Sequence, residues 1–319
     1  MKLKAIFLLT ILSAQTLTAR SQTVDPIKYG NMDSWVTRNL HESAVIGGND
    51  KTVYEIGPST TIEGNKAYNN LDGSPWATSN VYAKVSGVTK TSNAIYPFDR
   101  AKGNKAARLT TQIERVKVLG LINMDVMVAG SMFLGKMLEP VSSTKKPYSK
   151  MEMGVPYTKR PSAVVFDYKV DMPSVNTRVK STGFGSKKTL PGHDNAVVFM
   201  FLQHRWEDAD GNIHAKRVGT AGRLFTSGSD WVNGYKLPVM YGDISHSSTY
   251  APFLALRSGE NAYYAKNSKG KMVPVIEEGW DDASATPTHM VLMFSAGSGE
   301  PYVGTEGLTL YIDNVGLAQ

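Results

Sequence analysis

Asn195-Ala196-Val197-Val198-Phe199-Met200-Phe201-Leu202-Gln203-His204-Arg205-Trp206 decides the fold class. Val197 to Leu202 is apolar on both faces, and the segment turns polar at Gln203. Such a stretch reads as a central strand, buried on both sides, that emerges at the end of a sheet. Asp208-Ala209-Asp210-Gly211-Asn212 follows, a hairpin turn by composition, and Ala215–Phe225 is the return strand. Working outward, Ala163–Asp171 alternates. Val164, Phe166, Tyr168 and Val170 share one face, while Val165, Asp167, Lys169 and Asp171 share the other. Thr288–Ser295 is a further buried strand, and Leu308–Leu317 is the last. Helical periodicity is scarce. The best helix candidate, Gly120–Met137, is interrupted by Gly130 and Gly135 and reads equally well as two strands. Turn-rich segments such as Asn69–Pro75 and Ser181–Asp194 separate the strands. The pattern predicts an all-β chain, a β-sandwich of two antiparallel sheets with long loops.

The chain has 319 residues, 41% of them apolar and 20% charged, and no cysteine. That is a globular composition. It excludes thiolate zinc and iron–sulfur centres, a cysteine nucleophile and a lipid-anchored cysteine. Lys2 and Lys4, the apolar run Ala5–Leu12 and the small residues of Ala19-Arg20-Ser21 read as a secretory signal peptide over residues 1–21. Residues 22–319 then form a single domain. Its removal takes away Lys2, Lys4 and Arg20 from 35 basic residues, leaving 32 against 28 acidic and lowering the net charge from +7 to +4. No later stretch reaches the roughly 20 apolar residues of a membrane span. The mature chain is expected to be exported: periplasmic, cell-surface-associated or extracellular. Its lysines and arginines are scattered and follow no nucleic-acid-binding motif, so no nucleic-acid partner is expected.

Several constellations carry possible chemistry. Gly130-Ser131-Met132-Phe133-Leu134-Gly135-Lys136 has the spacing of a phosphate loop, but Met137 stands where Ser or Thr should hold Mg²⁺, and no parallel βαβ context surrounds it. Glu277, Glu278, Asp281 and Asp282 cluster around Trp280; glycoside hydrolysis needs two carboxylates opposed across a cleft, which neighbours in sequence do not establish. Glu300 is a further candidate acid. His204 and His214 flank the hairpin turn and face one another across it in the simplest pairing. Asp208, Asp210 and Asn212 alternate as in a calcium loop, without the downstream Glu. Among five tryptophans, Trp76, Trp231 and Trp280 lie in polar, turn-rich contexts. A ring there either stacks on a pyranose or anchors its loop in the core. Arg108 stands on the face opposite Ala107 and Leu109. It offers a fork of hydrogen bonds to sugar hydroxyls or pairs with an acid such as Asp167.

In chain order, Trp76-Ala77-Thr78-Ser79-Asn80, Ala106-Ala107-Arg108-Leu109-Thr110-Thr111, Ala129-Gly130-Ser131-Met132-Phe133-Leu134-Gly135-Lys136, Gly154-Val155-Pro156-Tyr157-Thr158-Lys159-Arg160-Pro161, Phe166-Asp167-Tyr168-Lys169 and Tyr302 to Val315 give a recognisable combination. It resembles the putative carbohydrate metabolism domain family of exported Bacteroidota proteins, from about Trp35 to Leu317. The resemblance implies a jelly-roll sandwich similar to carbohydrate-binding modules. Gly30-Asn31-Met32-Asp33-Ser34-Trp35 looks like the opening of such a module and Leu310-Tyr311-Ile312-Asp313-Asn314-Val315 like its closing strand. There the two ends often meet at a structural calcium, which makes Asp33 and Asp313 the candidate ligands. The resulting expectation is a noncatalytic glycan-binding or glycan-handling protein. Trp76, Asn80, Arg108, Trp206 and Trp280 are its candidate binding residues, an oligo- or polysaccharide is its partner, and no organic cofactor is expected. The alternatives are a glycoside-active enzyme using loop carboxylates and an envelope protein-interaction or adhesin module with protein partners.

Overall fold

Strand Ala196–Glu207 pairs antiparallel with Ile213–Phe225 on one side and with His289–Ser295 on the other. The computed structural model describes residues 23–319 except 86, 119–121, 184 and 299; the expected signal peptide lies outside the described residues. The apolar run of the central strand is explained by two cores. Val198, Met200 and Leu202 enter the core between the two main sheets. Val197, Phe199 and Phe201 enter a second core on the opposite side of their own sheet. With both faces buried, the strand has no reason to alternate.

Among the described residues, one main sheet has eight strands and the other ten. The chain is the all-β sandwich that the sequence predicts, and its helices are short 3₁₀ turns. In the eight-stranded sheet, Asn104–Val118 pairs with Ile95–Ala101, Ile122–Ala129 and the final strand Thr309–Ala318. Thr309–Ala318 pairs in turn with Ala163–Asp171, and that strand with Ser229–Pro238. Val164, Phe166, Tyr168 and Val170 point into the shared core, as their alternation predicts. A peripheral sheet of Trp35–His41, Asp50–Ile56 and Thr60–Glu63 packs beside this body.

Gly120–Met137 contains two strands and no helix. Ile122–Ala129 belongs to the eight-stranded sheet and Ser131–Met137 to the ten-stranded one. Gly130 is the crossing point. A Cβ there would lie 2.5 Å from the Ala94 carbonyl oxygen. Gly135 has φ +149°, and a Cβ on it would lie 2.0 Å from the Glu152 carbonyl oxygen. The phosphate-loop spacing therefore marks two close backbone approaches.

The ten-stranded sheet departs from the purely antiparallel expectation. Ile213–Phe225 pairs parallel with Met272–Trp280, and Met151–Met153 pairs parallel with Tyr264–Lys266. Between residues 225 and 272 the chain visits the other sheet at Ser229–Pro238 and returns in the same direction, which a short hairpin cannot do. Ser131–Met137 also pairs with two strands in succession: its first half with His289–Ser295, its second with Met151–Met153. The pairing thus closes on itself through Tyr264–Lys266, Met272–Trp280, Ile213–Phe225 and Ala196–Glu207. Phe133, Met153, Phe199, Phe201, Val291 and Tyr263 fill the second core.

Candidate functional site

The structure separates the five candidate binding residues. Trp76 is fully buried, and its indole N–H donates to the Lys28 carbonyl at 3.0 Å. Its strand, Trp76–Thr78, is covered by Ser131–Met137, so the ring anchors the loop. Asn80 is also fully buried. Its Nδ2 donates to the carbonyls of Tyr54 and Ile95, and its Oδ1 accepts the N–H groups of Ala94 and Ile95. That uses the whole hydrogen-bonding capacity of the amide and leaves nothing for a ligand. Trp280 is half-buried at the rim of the second core, with the Arg217 guanidinium 5.5 Å from its ring centre. Arg108 is exposed on the outer face of the eight-stranded sheet. It does not pair with Asp167; Arg100 does, at 2.7 Å.

The Asp33 and Asp313 carboxylates are each engaged by protein donors. Asp313 is fully buried and accepts Arg100 Nη1 at 2.8 Å and the Asn314 N–H at 2.7 Å. Asp33 accepts the Lys105 N–H and the Asn31 side-chain amide, both at 2.9 Å. Arg100 already neutralises Asp313, while Asp33 is bonded to different donors, so the two acids share no bonding partner among the described residues.

Trp206 is the one exposed tryptophan among the described residues, at 37%. It lies near the end of the central strand, directly opposite His214 in the hairpin. Lys216, not His214, stands opposite His204, so Trp206 separates the two histidines along that face. The hairpin turn is built by Asp208, whose carboxylate accepts the N–H groups of Asp210 and Asn212 and the Asn212 side-chain amide. These bonds hold the Asp208 carboxyl far below its ordinary range, first through Asn212 and then through His214. The alternating oxygens serve a turn. On the third strand, an irregularity in pairing beside Ala215 and Lys216 leaves Glu278 beside His214.

His214 lies parallel to Trp206, with ring centres 5.6 Å apart and planes 14° apart. Glu278 Oε1 is 2.6 Å from its Nδ1, and Asp208 Oδ2 is 3.1 Å from its Nε2. A carboxylate only accepts, and a neutral imidazole has one N–H, so this geometry calls for the imidazolium. Accordingly, hydrogen bonds to Asp208 and then Glu278 raise the His214 pKa above its ordinary value. A cation stacked on an indole is favourable in itself. His204 completes the cluster, edge-on to Trp206 at 6.1 Å and hydrogen-bonded through Nδ1 to Asp281 Oδ2 at 3.0 Å.

The other acids of this region have structural work. Glu277 is buried in an ion pair with Arg217 and also accepts the Gln203 side chain and the Arg257 N–H. Burial pushes its pKa up, but Arg217 outweighs burial and holds the group below its ordinary value. Asp282 caps the turn at Ser284, and Glu300 pairs with Lys180. The flanking histidines are legible in the sequence and Trp206 is a candidate there, but nothing in its neighbours marks it rather than Trp76 as the exposed ring. Arg100 was missed: its target acids lie 67 and 213 residues away, and no local pattern signals such a pairing.

Two solved structures are among those similar to this chain. One is a putative glycoside hydrolase from Bacteroides thetaiotaomicron, at 18% identity and a TM-score of 0.45, covering 84% of this chain and 74% of that one. The other is a putative glycoside hydrolase from Bacteroides vulgatus, at 15% identity and a TM-score of 0.43, covering 94% and 96%. No curated protein matches the sequence. The putative carbohydrate metabolism domain matches residues 50–223, more than half the chain. The chain belongs to the putative carbohydrate metabolism domain family.

Proposed function

We propose that this is an exported, noncatalytic glycan-binding protein whose sugar stacks on Trp206. The observation that carries this reading is the exposed indole held parallel against the His214 imidazolium. The ring is fixed before any ligand arrives, which lowers the entropic cost of binding. His204, Glu278 and Asp281 stand around it with groups that hydrogen-bond sugar hydroxyls. Membership of a carbohydrate-related family agrees with such a partner. Binding is favoured over hydrolysis because the loop acids are tied to Arg217, His214 and His204 rather than opposed across a cleft.

The test is a glycan-array and affinity-gel screen of residues 22–319, with Trp206→Ala and Glu278→Gln as variants. A sugar bound by the parent and lost in Trp206→Ala supports the reading. Turnover of a bound polysaccharide that Glu278→Gln abolishes would favour the enzyme. Indifference to every glycan class, with co-purification of an envelope complex, would favour the protein-interaction module.

A further inference from the structure

The outer face of the eight-stranded sheet carries a row of side chains that the two cores do not need. Register places Tyr96, Arg108, Tyr311 and Lys169 side by side on four adjacent strands. Trp231 stands beyond them, its ring centre 6.1 Å from that of Tyr311, and Phe98 packs edge-on to Tyr311 at 4.8 Å. Two cations on this face are matched, and Glu114, further along the Arg108 strand, accepts from Gln112 at 2.7 Å. Arg100 is 4.0 Å from the Trp231 ring centre and bonded to Asp167 and Asp313. Lys169 pairs with Asp171 at 3.2 Å, and Asp171 also accepts the Tyr311 hydroxyl at 2.9 Å. Arg108 is exposed and has no acidic partner among the described residues. Register sets Arg108 between Tyr96 and Tyr311; Tyr311 is buried, so Tyr96, Phe98 and Trp231 are the partly exposed rings of this face.

A planar cation flanked by aromatic rings, on a chain with an excess of basic residues, suits a ligand that is flat-faced and anionic. We infer that this face is a second saccharide-binding surface, selective for uronic acids, with Arg108 gripping the sugar carboxylate and the neighbouring rings supporting the pyranose. The inference rests on the glycan-binding reading but uses a different surface from Trp206, so the two fail independently.

The experiment is titration calorimetry on residues 22–319 with tetrasaccharides of galacturonate, guluronate and hyaluronan. Each is compared with its carboxyl-reduced, neutral counterpart, and a carrageenan tetrasaccharide, sulfated but free of uronate, serves as the anionic control. At least one uronate should bind. Its affinity should fall about ten- to a hundredfold in Arg108→Gln and by a similar factor on carboxyl reduction, as expected for a lost charged fork. Trp206→Ala should leave it unchanged. Arg108 is exposed, so an unaltered melting temperature will certify that the variant is folded. Failure of all three uronates to bind, binding indifferent to Arg108→Gln, or equal affinity for the carrageenan control would overturn the inference. Loss of uronate binding in Trp206→Ala alone would assign the acidic sugar to the first site instead.

Discussion

At the scale of single residues, two carboxylates determine what His214 can be. Each accepts a hydrogen bond from one ring nitrogen, and the charged ring is the floor on which Trp206 lies. Because the folded pKa is raised above the ordinary 6.5, this support is complete below that value. It is lost as pH rises through the folded pKa. Trp206 fluorescence and glycan affinity should therefore both change at a pH above the ordinary imidazole value of 6.5, and His214→Phe should keep the stack while abolishing the pH step. A second residue-scale device sits under the peripheral sheet. Arg38 is buried between Glu55 at 2.8 Å and Glu139 at 2.6 Å. Burial first, and Glu139 as a like charge, push Glu55 up to about 8, against the pull of Arg38. A protonated Glu55 stabilises the fold fully below the ordinary 4.5, and that contribution disappears as pH rises through about 8. Glu55→Gln can still meet Thr78, which Glu55 contacts at 2.7 Å. This variant should melt close to the parent at pH 5 and above it at pH 9. Arg38→Met strands Glu139 and should cost about 3–5 kcal/mol in denaturant unfolding.

At the scale of elements, periodicity read the strands that see one environment along their length. Ala163–Asp171 alternates because one face meets the core and the other meets the outer face. The run from Val197 to Leu202 was legible because nothing polar interrupts it. Shorter pieces carried no usable period: Thr182–Gly183 and Lys188–Pro191 lie within what reads as loop. Trp76 misled for a related reason. Gly73-Ser74-Pro75 describes its chain neighbours, whereas its burial comes from residues 132–134, more than fifty positions later. Gly135 makes the same point as a test. With φ +149° and a carbonyl in the space of a Cβ, Gly135→Ala should cost about 3 kcal/mol and detach Met151–Met153 from its neighbour. The corresponding change at Gly64, where a Cβ meets nothing within 4 Å, carries only the cost of its positive φ, a smaller loss by the same unfolding assay.

At the scale of the molecule, the sandwich core draws residues from Met32 to Leu317, which is why the opening and closing segments look diagnostic in the sequence. Their meeting point is where the metal expectation arose. Asp313 already has a cation in Arg100, so the melting temperature of residues 22–319 should be the same in calcium and in chelator. Arg100→Met, which leaves Asp313 buried without its cation, should lower stability by about 3–5 kcal/mol. A fall in melting temperature with chelator would instead restore a cation to this fold. Arg100 was beyond the sequence because only the fold brings it to Asp313, 213 residues away.

The self-closing pairing of the ten-stranded sheet has a consequence for how the molecule comes apart. Seven strands each have a neighbour on both sides, but one junction is thin: Met151–Met153 meets Tyr264–Lys266 through the single pair Glu152 and Tyr264. An ion pair of 3.8 Å between Lys266 and Glu152 is all that reinforces it electrostatically. Everywhere else the strands are zipped over several residues, twelve pairs between Ala196–Glu207 and Ile213–Phe225. The enclosure behaves like a clasp bracelet, strong along the band and weak at the catch. Opening should begin at that catch, with amide exchange in Met151–Met153 faster than in Ala196–Glu207.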